Sequence, residues 1–103
     1  MLKIYNDGQR ITAALFGDID HHSARDFRTE LDDVIARARP ELLVLDFGNV
    51  GFMDSSGIGL ILGRMRAVNA AGGELLIKNA SGEIAQMIKL SGLSQLIVAK
   101  TTT

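Results

Sequence analysis

The chain has 103 residues, no cysteine and a net charge of −1, from 11 basic and 12 acidic side chains. The lack of cysteine excludes disulfides, thiolate nucleophiles and thiolate zinc sites, and the near-neutral charge gives no footprint for direct nucleic-acid binding. No apolar stretch approaches the ~20 residues that span a bilayer, and no signal-peptide core follows Met1, so we expect a single cytoplasmic domain without membrane contact.

Strands and helices alternate along the whole chain. A first helix is expected with Ser23 as N-cap and Asp26 in a capping box, ending at Pro40, and a last short helix lies between Ser81 and Gly92. The remaining helix is predicted at about 56–71, and strands are predicted at 2–5, 11–16, 42–47, 74–78 and 95–99, before a frayed tail at 100–103. This order predicts an α/β fold with a mixed, partly parallel sheet of about five strands.

The second helix carries two different stripes. The stripe predicted to be buried consists of Ile58, Ile61, Leu62, Met65 and Val68. The opposite arc consists of Ser56, Gly59, Leu60, Gly63 and Ala67. Solvated helix faces normally carry charged pairs, whereas this arc is small and smooth with one leucine expected to be exposed. Two interior glycines cost about 1 kcal/mol each, so the arc either packs closely against the same chain or docks another protein.

Three enzyme or ligand classes have partial patterns in the sequence, and each pattern is incomplete. The glycines of Gly57-x-Gly59-x-x-x-Gly63 miss the dinucleotide spacing by one position, and no acidic residue follows the next strand to hold a ribose. His21 and His22 with their flanking aspartates are a weak metal pattern, because consecutive loop residues rarely converge on one ion. A triad of Asp20, a histidine and Ser55 lacks the usual nucleophile elbow.

The serine pair at the start of the second helix is the remaining chemical feature. Ser55 and Ser56 follow Asp54, where a strand hands over to a helix whose first N–H groups are unpaired and partly positive. Such a position suits a plain N-cap serine and equally a phosphate, bound or covalently attached. The residues alone leave both interpretations open.

The run 52–64, Phe-Met-Asp-Ser-Ser-Gly-Ile-Gly-Leu-Ile-Leu-Gly-Arg, resembles the signature of anti-sigma factor antagonists with a STAS fold. Segments 17–24, 72–77 and 90–93 also resemble that family, and the closest type is the sporulation antagonist of Gram-positive spore formers. The resemblance implies one STAS domain over residues 1–103, with three or four helices. The chain stops soon after the last predicted strand, so the family's final helix is expected to be short or missing.

The resemblance also implies a function and a set of site residues. The unphosphorylated form would bind an anti-sigma factor that is also a serine kinase, and so release a sigma factor; a phosphatase would reverse the modification. The phosphoacceptor falls on Ser55. The partner-binding residues are expected to be Asp20, His21, Asp54, Ser56, Gly57, Gly59, Leu60 and Gly63. No catalytic residue, metal or cofactor is expected.

Two alternatives stay open at this point. One is a STAS interaction module of another complex, of the stressosome or lipid-transport kind. The other is a small nucleotide-binding protein or hydrolase.

Overall fold

A computed structural model of the protein describes residues 1–98. The strands are β1 (Leu2–Asp7), β2 (Arg10–Phe16), β3 (Leu42–Asn49) and β4 (Glu74–Lys78), and the helices are α1 (His21–Ala38), α2 (Ser55–Ala70) and α3 (Gly82–Leu90), followed by a 3₁₀ turn at Ser94–Leu96. These elements confirm the predicted α/β fold and its three helices. No helix in this part of the chain is both long enough and apolar enough to cross a membrane.

The sheet is mixed, as predicted, and runs in the order β1-β2-β3-β4 over the described residues. β1 and β2 form an antiparallel hairpin, whereas β2, β3 and β4 are parallel, with Ile11 beside Leu43 and Leu43 beside Leu75. Each parallel pair is joined by a helix that crosses over the sheet. The connections after β2 and β3 therefore emerge at the same edge of the sheet, where the strands end.

The predicted fifth strand at 95–99 is wrong within the described residues. Leu93 and Leu96 are both buried, and a 3₁₀ turn brings residues three apart onto one side. A strand would send these two side chains to opposite faces. Only one bridge, between Ile77 and Ile97, reaches the sheet. Ala99 and the predicted frayed tail at 100–103 lie outside the described residues.

The core lies between the helices and one face of the sheet. Alternate strand residues such as Ala13, Leu45 and Ile77 belong to the same buried cluster as the inward side chains of α1, α2 and α3. Ala14 and Val44 are buried on the other face but lie outside that cluster. The three helices thus cover a single face, and the first turns of α1 and α2 are placed side by side.

Candidate functional site

The loops that precede α1 and α2 are joined by backbone hydrogen bonds. The Ile19 N–H donates to the Phe52 carbonyl oxygen at 2.8 Å, and the Asp54 N–H donates to the Ile19 carbonyl oxygen at 3.0 Å. Ile19 and Met53 form a parallel bridge and are both buried beneath the loops. This pairing fixes Asp20 and Asp54 next to each other, each directly before a helix.

Asp20, and not Ser23, is the N-cap of α1. Its carboxylate accepts the N–H groups of His22 and Ser23, each at 2.9 Å, and Ser23 Oγ accepts the Asp20 N–H at 2.9 Å. This capping box starts the helix three residues earlier than the sequence predicted, and Asp26 takes no part in it. Asp20 is a better cap than Ser23 because its carboxylate accepts hydrogen bonds from two amide groups at the N-cap position. His21 and His22 consequently lie in the first turn of α1 and not in a loop.

The Asp20 carboxyl group titrates below its ordinary range. The hydrogen bond from the Ser23 N–H is the largest influence lowering its pKa; partial desolvation opposes it, and the His22 N–H, the Ser23 hydroxyl and the charge of His22 lower the pKa further. The group is thus held as an anion at the start of α1. An anion at a helix N-terminus also interacts favourably with the helix dipole.

Asp54 is the N-cap of α2, so neither serine has the N-cap role that the sequence left open. The Asp54 Oδ1 atom accepts the Ser56 N–H at 2.8 Å, and the Asp54 carbonyl oxygen accepts the Gly57 N–H at 3.0 Å. Ser55 is the first residue of the helix and is exposed, whereas Ser56 is half buried. An exposed hydroxyl on the first turn is accessible to a modifying enzyme.

The predicted orientation of α2 is partly wrong. Ile61 and Val68 are buried as expected, but Leu60, which was expected to be exposed, is only 4% exposed. The buried side consists of Gly57, Leu60, Ile61, Arg64 and Val68. Ile58, Leu62 and Met65 are only half buried. The helix is therefore rotated relative to its most aliphatic stripe, because it packs against α1 as well as against β4.

The glycines of α2 have two different roles. Gly57 is buried, and a Cβ atom there would collide with Cγ and Sδ of Met53, so this glycine permits close packing within the chain. A Cβ atom at Gly59 or Gly63 would find no atom of residues 1–98 within 4 Å. Internal packing within the described residues therefore does not account for Gly59 and Gly63, and the helix surface beside them is open.

Arg64 is a buried residue that the sequence analysis missed. Its Nε atom lies 2.8 Å from Asp32 Oδ1 on α1, outside hydrogen-bond geometry, so the contact is ionic. Burial lowers the Arg64 pKa, while the Asp32 charge raises it and the nearby Arg28 charge lowers it further. The pair fixes α2 to α1. Its one sequence signal is that position 64 shares a helical face with Leu60 and Ile61.

The other predicted chemistries gain no support from the geometry. Among the described residues, no group of three or more histidine, aspartate or glutamate side chains could hold a metal ion. Asp20 is engaged by backbone N–H groups of α1, so it is not positioned to orient a histidine toward Ser55. The arrangement instead presents an exposed serine, two capping carboxylates and an open glycine surface.

Comparison with known proteins adds to this geometry. Residues 5–103 match the STAS domain family. The anti-sigma F factor antagonist of Paenibacillus polymyxa is 37% identical over 83 residues, or 81% of this chain and 71% of that protein. The anti-sigma F factor antagonist of Lysinibacillus sphaericus is 31% identical over 93 residues, or 90% and 80% of the two chains.

Two solved structures resemble the fold closely. The anti-sigma factor antagonist SpoIIAA in its unphosphorylated form superposes with a TM-score of 0.86 at 29% identity, covering 98% of this chain and 89% of that one. The Bacillus cell fate determinant SpoIIAA in its phosphorylated form gives 0.79 at 29% identity, covering 98% and 92%. The likeness extends over nearly the whole chain.

Proposed function

This chain belongs to the STAS domain family as an anti-sigma factor antagonist, and from that premise we propose that Ser55 is the phosphoacceptor that switches its binding. It is a regulator and not an enzyme. The unphosphorylated form binds an anti-sigma factor that is also a serine kinase, and binding releases a sigma factor. The kinase transfers phosphate from ATP to Ser55, and a separate serine phosphatase removes it. All of these steps take place in the cytoplasm.

The observation that carries this proposal is the exposed Ser55 hydroxyl on the first turn of α2. Asp54 precedes it as the N-cap, and the open surface at Gly59 lies one helical turn further on. A kinase can therefore reach the hydroxyl without unfolding the helix. The existence of phosphorylated and unphosphorylated forms of the similar SpoIIAA proteins supports phosphorylation as the switch.

The fold tolerates the modification for an electrostatic reason. A phosphoserine adds about −1.5 to −2 charges at neutral pH. At the first turn of a helix, the dipole favours a negative group by about 0.3–1 kcal/mol. The exposed Ser55 phosphate stays hydrated in the free protein, so α2 does not have to rearrange.

Binding responds quite differently to the same phosphate. A partner that covers Ser55 must remove water from the phosphate beside Asp54 and near Asp20, both of the same sign. An unpaired charge at an interface commonly costs several kcal/mol, and about 4 kcal/mol corresponds to a thousandfold loss of affinity. The switch is a local electrostatic change at the surface and requires no change of fold.

The proposed partner surface differs in one respect from the one that the sequence suggested. Asp20, His21, Ser55 and Gly59 are exposed, and Ser56, Asp54 and Gly63 are half buried beside them. These residues contact the partner. Gly57 and Leu60 are buried: Gly57 supports the surface from below, and Leu60 offers the partner only the 4% of its surface that stays exposed.

The test is phosphorylation by the cognate anti-sigma kinase with ATP, followed by intact-mass measurement and fragment mapping. We expect one added phosphate on Ser55 and loss of the complex. Ser55→Ala should bind without accepting phosphate, and Ser56→Ala is the matched control that should still be modified. Phosphate on Ser55→Ala at the parent's rate would show that the acceptor is wrong. Neither phosphate nor binding would favour a STAS module of another complex.

A further inference from the structure

A groove runs between the first three turns of α1 and the first turns of α2. Its volume is about 390 Å³, and its α1 wall includes His21, Arg25 and Arg28. Ser56 and Gly59 form the α2 wall, and Leu60 also lines the groove. The groove begins next to the capping aspartates, so it continues the surface that carries Ser55.

The α1 wall is basic. His21, Arg25 and Arg28 follow each other at four- and three-residue spacing, which places them on one face of the helix. Arg25 and Arg28 are exposed, and neither forms a salt bridge with another residue of the described chain. The nearby Asp32 is already paired with Arg64, and Asp20 accepts hydrogen bonds from the start of α1. The groove thus has two arginine charges that residues 1–98 leave unpaired.

The α2 wall is low. A Cβ atom at Gly59 would meet no atom of the described residues within 4 Å apart from the backbone of its own helix, so the absence of a side chain leaves room for another backbone to approach. Buried Leu60 and half-buried Ala24 give the groove an apolar base. A segment that is acidic on one side and apolar on the other matches these walls.

We propose that this groove seats an acidic segment of the anti-sigma factor. The inference rests on the proposed function and adds the chemistry of the contact. Acidic side chains of that segment pair with Arg25 and Arg28, and its apolar side chains lie against Ala24 and Leu60. The partner then meets a negative rim at Asp20 and Asp54 and a positive wall at α1, so charge fixes the orientation in which it docks.

The test compares two charge-reversed proteins. The Arg25→Glu, Arg28→Glu double variant reverses the wall, and Arg37→Glu makes the same kind of change at the exposed far end of α1. Binding to the unphosphorylated protein is measured by calorimetry with the anti-sigma factor at low and moderate salt. We expect a ten- to hundredfold weaker Kd for the double variant, and a change below about threefold for Arg37→Glu.

Further controls separate the possible failures. Arg25→Lys with Arg28→Lys keeps the charge and should retain most of the affinity, and thermal melts should show all variants folded. The parent's affinity should fall with salt more steeply than that of the double variant. A parent that binds and is switched by phosphate on Ser55, with a double variant equal to Arg37→Glu, would overturn the groove proposal alone. A parent that does not bind would overturn both proposals.

A cross-link identifies the occupant directly. A photoreactive benzophenone residue at exposed Thr29, which follows Arg28 on α1 and does not line the groove, irradiated in the complex, should label one segment of the anti-sigma factor whose residues carry a net negative charge. Labelling of a neutral or basic segment, or of a second copy of this chain, would contradict the proposal.

Discussion

The first turns of α1 and α2 lie side by side and use the same residue type as N-cap, but they differ in how completely side chains bond their backbone groups. At α1, Asp20 accepts two N–H groups and Ser23 reciprocates. At α2, Asp54 accepts a single N–H group, and the exposed Ser55 follows. One start is closed by a reciprocal cap, and the other keeps a hydroxyl available on its surface.

The difference shows how stability and function are divided between neighbouring turns. α1 continues from its cap into buried Phe27, Leu31 and Ile35, so its start holds a core helix in place. α2 continues into Gly59 and Gly63, which contact nothing within the described chain near their missing Cβ atoms. Glycine in a helix interior lowers stability by about 1 kcal/mol relative to alanine. That loss lies on the side of α2 where we propose binding.

The largest expected effect tests the division between the buried and open sides of α2. Leu60→Glu places a charge at a 4% exposed site and should lower the free energy of unfolding by more than about 3 kcal/mol, measured by urea denaturation. Leu62→Glu is the matched control, because Leu62 is only half buried, and it should lose much less. An equal loss of unfolding free energy in the two variants would show that Leu60 and Leu62 do not lie on differently buried sides of α2.

The second effect separates the two kinds of glycine. Gly57→Ala forces a methyl group against buried Met53 and should destabilise the fold by about 1–2 kcal/mol. Gly59→Ala adds a methyl group into open space and should stabilise it by about 0.5–1 kcal/mol while weakening partner binding. Thermal melts and calorimetry measure the two quantities. Stabilisation with unchanged binding would remove Gly59 from the partner surface.

The third effect compares the caps themselves. Asp54→Ala removes one side-chain cap and should cost about 1 kcal/mol in unfolding free energy. Asp20→Ala removes two such bonds together with the reciprocal contact of Ser23, so its urea midpoint should fall further. A lower urea midpoint for Asp54→Ala than for Asp20→Ala would show that the cap of α2, and not that of α1, contributes more to stability.

The smallest expected effect is the pH dependence of the stability that the Asp20 cap gives to α1. The pKa of Asp20 lies below its ordinary value, first because of the Ser23 N–H hydrogen bond. A carboxyl group whose folded pKa is lowered stabilises the protein above its unfolded pKa of about 3.9 and loses that contribution as the pH falls through the folded value. Melting temperatures between about pH 5 and pH 2.5 should therefore fall more steeply in the parent than in Asp20→Asn. Asp26→Asn, on the exposed side of α1, should melt like the parent throughout.

Much of the fold could be predicted from the sequence because its signals are local. Alternation and apolar runs identified β1 to β4, and Pro40 marked the end of α1 within two residues. The strand predicted at 95–99 is wrong because Leu93 and Leu96 are both buried on one side, which a 3₁₀ turn allows and a strand does not. Contacts with residues distant in the sequence decide between a strand and a turn here, and a single sequence does not reveal those contacts.

The site shows the same limit. Asp54, Ser55 and Gly59 were predicted as site residues from the residues around one helix start and from the family resemblance, and their role stays a prediction. The burial of Leu60 and Arg64 was not predicted. The most apolar stripe of the helix includes Leu62 and Met65, and it places Leu60 and Arg64 outside the side expected to be buried. The rotation of α2 depends on α1, which lies on its other side. The basic wall at Arg25 and Arg28 could have been found from its helical spacing, but its importance appears only once α2 lies opposite.

The hydrogen bonds between Ile19, Phe52 and Asp54 involve only backbone atoms. The distance between the two helix starts is therefore set by main-chain geometry above the buried Ile19 and Met53, and not by the exposed side chains that the loops carry. Exposed positions such as Phe52 and Asp18 can change without moving Ser55 relative to Asp20. New partner preferences can accordingly evolve by substitution on a frame whose spacing stays constant.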